Sequence, residues 1–145
     1  MDVGSRQAGV IPFRRQSGET HFCLITTSGG GRWTFPKWIV DPGDTVRWAA
    51  FREALEEDGL HGALVGPPVG TFHQKMGTEF TVEMYLMDGS QVDETWAEQD
   101  VRRRQWCNRD TALTLVRGRP VAGLFQKAIR RLSRPELPAL DPGAP

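Results

Sequence analysis

Residues 46–58 constrain the chain more than any other stretch. They hold strong helix formers and neither glycine nor proline. Asp44 or Thr45 supplies an oxygen that can cap a helix start, and Gly59 stands where a left-handed terminator is expected. A helix is therefore expected over 46–58. Val46, Ala50, Phe51, Ala54 and Leu55 fall on one side of it and can pack against a sheet. Glu53, Glu56 and Glu57 stand at i, i+3 and i+4, which at about 100° per residue puts three carboxylates on another side. Like charges so placed cost an isolated helix about 0.3 kcal/mol per pair. Arg52, four residues before Glu56, offsets part of that. A hard divalent cation would offset more, because magnesium takes oxygen ligands and keeps waters and substrate phosphates in its shell. Taken alone, three glutamates also fit a solvated charged face.

The flanking segments read as strands. Residues 8–13 and 21–27 are apolar and β-prone, with turn chemistry at Gln16-Ser17-Gly18-Glu19 between them. Ser28-Gly29-Gly30-Gly31 reads as a loop and residues 33–35 as a short extended piece, since Phe35 precedes Pro36. Asp41-Pro42-Gly43-Asp44 is a tight loop. After the helix, strands are expected within 63–75, broken near Gly66-Pro67-Pro68, then over 79–87 and 101–107. A last helical stretch falls within 109–132, where Leu124, Ala128 and Leu132 repeat at i+4 spacing. Residues 1–6 are expected to fray, and the proline-rich 133–145 to form a flexible tail. Strands, helix, strands and helix within 7–132, with no internal repeat, imply a single mixed α/β domain.

The spacing around the helix carries a resemblance. Asp44 is followed eight positions later by Arg52-Glu53-Ala54-Leu55-Glu56-Glu57-Asp58-Gly59-Leu60. From Trp38 to Leu60 this is similar to the signature of the Nudix hydrolases. That signature runs Gly, five residues, Glu, seven residues, Arg-Glu, an apolar residue, any residue, Glu-Glu, any residue, Gly and an apolar residue. The lead-in Trp33-Thr34-Phe35-Pro36-Lys37 and the Pro42-Gly43-Asp44 loop also look like the family, so the resemblance spans about residues 7–132. It implies an α/β/α sandwich with a mixed central sheet. It also implies metal-dependent cleavage of a phosphoanhydride bond in a nucleoside-diphosphate-linked or polyphosphate substrate. By resemblance Glu53, Glu56 and Glu57 ligate Mg2+ or Mn2+, and Arg52 orients a glutamate. The base that takes the proton of the attacking water is Glu53 or Glu57 on the helix, or a carboxylate in the 93–100 loop, where Glu98 is favoured. The lead-in is similar to members acting on diadenosine polyphosphates or diphosphoinositol polyphosphates.

Two positions depart from the signature. Trp38 replaces its first glycine and Asp44 its first glutamate. If position 38 requires positive φ, a tryptophan there is strained. That keeps a second reading open, a catalytically impaired Nudix-fold module that binds a ligand or regulates.

Candidate substrate contacts are Lys37, Trp38, Asp44, His73 and Lys75, with Arg14, Arg15 and Arg102-Arg103-Arg104 as further cations. Trp33, Trp38 and Trp96 could stack on a base. A formal net charge of +0 excludes a bulk field that would draw the chain to duplex nucleic acid or a membrane surface. No apolar run approaches the roughly 20 residues that span a bilayer, and the expected compartment is the cytoplasm. Cys23 and Cys107 form no C-x-x-C pair, and Cys23 is expected in the core.

Overall fold

The computed structural model describes residues 5–27, 31–97, 99 and 102–133. A strand has two edges, and β1 (Ser5–Gln16) pairs along both. Along one edge it runs parallel to β6 (Thr78–Val92), from Ser5 opposite Phe80 to Phe13 opposite Asp88. Along the other its end pairs antiparallel with β2 (Glu19–Thr26), and its start pairs with β4 (Lys37–Ile39). β1 and β2 therefore splay apart beyond their turn. The wedge is filled by β3 (Trp33–Thr34), which holds the end of β2, and by β4. β7 (Arg104–Asn108) takes the outer edge of β2, and β5 (Leu60–Met76) closes the far side against β6. The sheet is mixed, as the resemblance implies.

Alternation along the strands makes two cores. Ala8, Val10, Cys23, Tyr85 and Met87 face α1 (Val46–Asp58). Ile11, Phe13, Phe22, Leu24, Val82, Met84 and Leu86 face α2 (Arg109–Val116) and α3 (Ala122–Ser133). A strand covered on both faces reads as a continuous apolar run, which is why β1 shows no polar side. The result is the expected α/β/α sandwich.

The α1 bounds match those expected. Thr45 Oγ1 accepts a hydrogen bond from the Trp48 backbone N–H at 3.1 Å, so Thr45 rather than Asp44 is the cap. Ala49, Ala50 and Ala54 are fully buried against the sheet. Phe51 was expected on that seam; it instead turns outward and stacks on Trp48 with ring centroids 5.7 Å apart.

Other differences follow from what short segments hide. β1 begins at Ser5, so residues 5 and 6, expected to fray, pair with Phe80 and Thr81. β4 had no assignment in the sequence, because a three-residue strand is too short to show a period. The final helical stretch is two helices. Pro120 lacks an N–H and, with Gly118, interrupts the ladder. β5 is one strand with a register irregularity between Val65 and Gly70, where the Pro67-Pro68 break was expected. There the outward carbonyls are taken by arginines. Arg47 donates to Gly66 O at 3.1 Å, and Arg131 donates to Pro67 O at 2.8 Å and Pro68 O at 3.1 Å.

Gly59 ends α1 at φ 65, and a Cβ built there would lie 3.0 Å from Asp93 Cβ and 3.2 Å from Trp96 Cβ. Gly59→Ala is expected to destabilise the fold by about 1–2 kcal/mol from the left-handed conformation alone. Urea unfolding should show a lower midpoint with an unchanged slope.

Candidate active site

Arg52 organises the acidic side. Its Nη1 lies 3.0 Å from Asp44 Oδ2, and its Nη2 lies 3.6 Å from Asp41 and 3.8 Å from Glu53. One guanidinium thus ties the 41–44 loop to the helix. Asp44, expected to touch substrate, spends its charge on Arg52. The Glu53 side chain is only 18% exposed. Burial pushes its carboxyl pKa up, and the charges of Glu57, Glu56 and Asp41 push it further while Arg52 opposes them. Glu57 is half-buried and Glu56 exposed. These are hard oxygen donors crowded by like charge, a chemistry that fits a divalent cation. Among the described residues, no three His, Cys, Asp or Glu side chains already converge on one point, so an ion would have to draw the glutamates together.

The far end of α1 is clamped to the 93–97 loop. The Asp93 N–H donates to Gly59 O at 2.9 Å. Arg104 donates to the carbonyls of Asp58 and Asp93, and its guanidinium lies 4.8 Å from the Trp96 ring centroid. His61 Nε2 meets Asp93 Oδ1 at 2.9 Å. Arg104, counted among the phosphate contacts, is therefore committed to holding the loop. Glu98, the favoured base, lies outside the described residues.

On the other face of the sheet lies a cleft of about 280 Å³, lined by Gln7, Lys37, Phe72, Gln74, Arg102 and Arg119 among others. None of the motif carboxylates lines it. Lys37 and Trp38 are neighbours on β4 and point to opposite faces. Lys37 enters the cleft and Trp38 packs with the α1-side core. Burial lowers the Lys37 pKa to about 8, with the charges of Arg119 and Arg102 adding to the effect. Phe72 and Gln74 line the cleft, whereas His73 and Lys75 alternate to the opposite face and stay exposed. The arginine run divides by position. Arg102 lines the cleft, Arg103 stacks 5.3 Å over Trp33, and Arg104 holds the loop. Arg14 stacks 4.2 Å over Trp106, and Arg15 is exposed near the β1–β2 turn. Gln7, Gln74 and Arg119 were not singled out in the sequence. No local pattern joins residues so far apart.

The strain expected at Trp38 is absent. Among the described non-glycine residues only Ser17 has positive φ, at 54, while Trp38 pairs with Ala8 in an extended ladder. The impaired-module reading loses the support that strain would have given it.

An acidic helix across a sheet from a cation-lined cleft suits a phosphate-handling hydrolase. Residues 5–125 match the NUDIX domain. The chain is 34% identical over 134 residues to Nudix hydrolase 16, mitochondrial, of Arabidopsis thaliana, covering 79% of this chain and 74% of that protein. It is 25% identical over 134 residues to the asymmetrical bis(5'-nucleosyl)-tetraphosphatase of Caenorhabditis elegans, covering 84% and 92%. The crystal structure of C. elegans Ap4A hydrolase has the same fold, with a TM-score of 0.74 at 23% identity over 90% of this chain and 100% of that one. The chain belongs to the Nudix hydrolase family and is a pyrophosphohydrolase. Enzymes of this family generally use divalent metal ions. No helix among the described residues is long and apolar enough to cross a membrane.

Two outcomes are expected from β4. Trp38→Gly removes packing and places glycine in a strand, so it should cost about 2 kcal/mol or more in chemical unfolding; relief of strain would stabilise instead. For Lys37, the folded pKa of about 8 lies below the ordinary 10.5, so between these values the unfolded chain binds more protons. Stability should then rise with pH across that window. Lys37→Met should be more stable than wild type at pH 7, with the advantage shrinking towards pH 10.5 in parallel melts.

Proposed function

We propose that this Nudix enzyme cleaves a phosphoanhydride bond of a nucleoside-diphosphate-linked or polyphosphate substrate by attack of an activated water. Glu53, Glu56 and Glu57 would hold the cation, magnesium or manganese. The observation that carries this is the placement of the Glu53 carboxyl, only 18% exposed and set on one helix with Glu56 and Glu57, beside Arg52 at 3.8 Å. A buried carboxylate crowded by like charge is stabilised when positive charge arrives. The chemistry a bound ion supplies is neutralisation of phosphate oxygens and acidification of a water.

The chain's own groups do the rest. Arg52, paired with Asp44 and near Glu53, positions the helix carboxylates and does not reach for substrate. Glu53 is one candidate for the base that takes the proton of the attacking water. Glu57 is the alternative on the helix, and Glu98 the alternative outside it. Lys37 would meet substrate on the cleft side of β4, with Trp38 on the other. His73 and Lys75 are exposed on the α1 face of β5 and would act only on a substrate that extends there. The tetraphosphatase relative makes a dinucleoside tetraphosphate the first compound to assay, with a diphosphoinositol polyphosphate second.

Glu57→Gln removes one charge and keeps the shape. Turnover, followed as phosphate release against magnesium concentration, is expected to fall by at least ~10–100-fold. The metal-free variant should unfold at a higher midpoint, because like-charge repulsion is relieved. Wild-type turnover in Glu57→Gln at limiting magnesium would overturn the assignment.

A further inference from the structure

The cleft opposite α1 is built unlike a pocket for a neutral ring. Lys37, Arg102 and Arg119 all line it, and among the described residues no aspartate or glutamate does. Among the described residues, neither Lys37 nor Arg119 has a carboxylate partner. The cations press on one another. Arg119 and Arg102 help lower the Lys37 pKa, and burial together with Arg32 lowers that of Arg119. Gathering like charges in a half-covered cavity is unfavourable unless an anion arrives. A neutral ring laid on Phe35 and Phe72 would cover Lys37 and Arg119 without pairing them.

A second observation is independent of charge. Gln7 is 6% exposed, lines the same cleft, and its Oε1 has no hydrogen-bond partner. A buried amide oxygen without a donor is unfavourable, so a ligand that brings a donor relieves it. A phosphate has no hydrogen to give when fully ionised, whereas a hydroxyl beside it does.

We infer that this cleft is an anion subsite holding a phosphoryl group of the substrate remote from the bond that is cleaved, on a sugar or polyol whose neighbouring hydroxyl donates to Gln7. Lys37, Arg119 and Arg102 neutralise the phosphate oxygens, the arginines through forked N–H groups. β4 carries Lys37 into the cleft and Trp38 to the face of α1, so one substrate would straddle it. This rests on the hydrolytic reading above, but its test needs no turnover.

Isothermal titration of the full chain in EDTA removes any cation-bridged contribution from the glutamates. Inorganic phosphate, ribose 5-phosphate and myo-inositol hexakisphosphate are the probes. At least one of the two organic phosphates is expected to bind tighter than inorganic phosphate, and the tighter of them names the source of the group. Arg119→Gln and Lys37→Met should each weaken that binding at least tenfold. Arg130→Gln, which removes an exposed charge on α3, should weaken it less than twofold. Gln7→Leu should narrow the preference for the organic phosphate over inorganic phosphate. Binding that requires magnesium, that is absent for both organic probes, or that falls equally in Arg130→Gln and Arg119→Gln overturns the subsite. Failure of the hydrolytic reading shows separately, as no phosphate release by the wild-type chain from either a dinucleoside tetraphosphate or a diphosphoinositol polyphosphate with magnesium present.

Discussion

The close seating of α1 on the sheet is the contact on which the rest depends. Ala49, Ala50 and Ala54 are fully buried, and residues this small let a helix backbone approach the strands. A helix held that near carries its next residues with it. Glu53 follows the seam, and its carboxyl is therefore covered rather than free in water. Larger side chains on the seam would lift the helix, hydrate Glu53 and dissolve the charge crowding that invites a cation. The ends of the helix are fixed with equal care, by Thr45 at the start and by the Gly59, Asp93 and Arg104 contacts at the finish.

Charge is segregated across the sheet. The net formal charge is zero, yet carboxylates gather on the α1 side and cations gather in the cleft on the other. The two populations do not neutralise each other, because the buried strands stand between them. Each side pays in desolvation, seen as a raised carboxyl pKa at Glu53 and a lowered amine pKa at Lys37. A substrate rich in phosphate, arriving with a divalent cation, would relieve both.

How much of this was legible in the sequence depended on range. The helix at 46–58, its glycine stop and its acidic face are local patterns, and the motif spacing made the family and the sandwich readable. β4 and the division of the last helical stretch were hidden, the first by brevity and the second by weighing the Leu124 to Leu132 period over Pro120. The cleft could not be read at all. Gln7, Lys37 and Gln74 meet because β1 pairs with β4 and with β6, and β6 with β5, while Arg102 comes from the segment before β7 and Arg119 from the turn between α2 and α3; no window of sequence contains that arrangement. At Trp38 the sequence misled, because a departure from a motif was read as strain before its backbone was known.

The arginine contacts on β5 bear on what happens between molecules. A strand at the border of a sheet presents unpaired carbonyl and N–H groups that can template another chain. Here Pro67 and Pro68 have no N–H to offer, and the carbonyls of Gly66, Pro67 and Pro68 are already occupied by Arg47 and Arg131. Along this stretch the sheet cannot recruit a neighbour without first displacing two charged side chains. The middle of the outermost strand is thereby kept from seeding fibrous assembly, even when the protein is crowded.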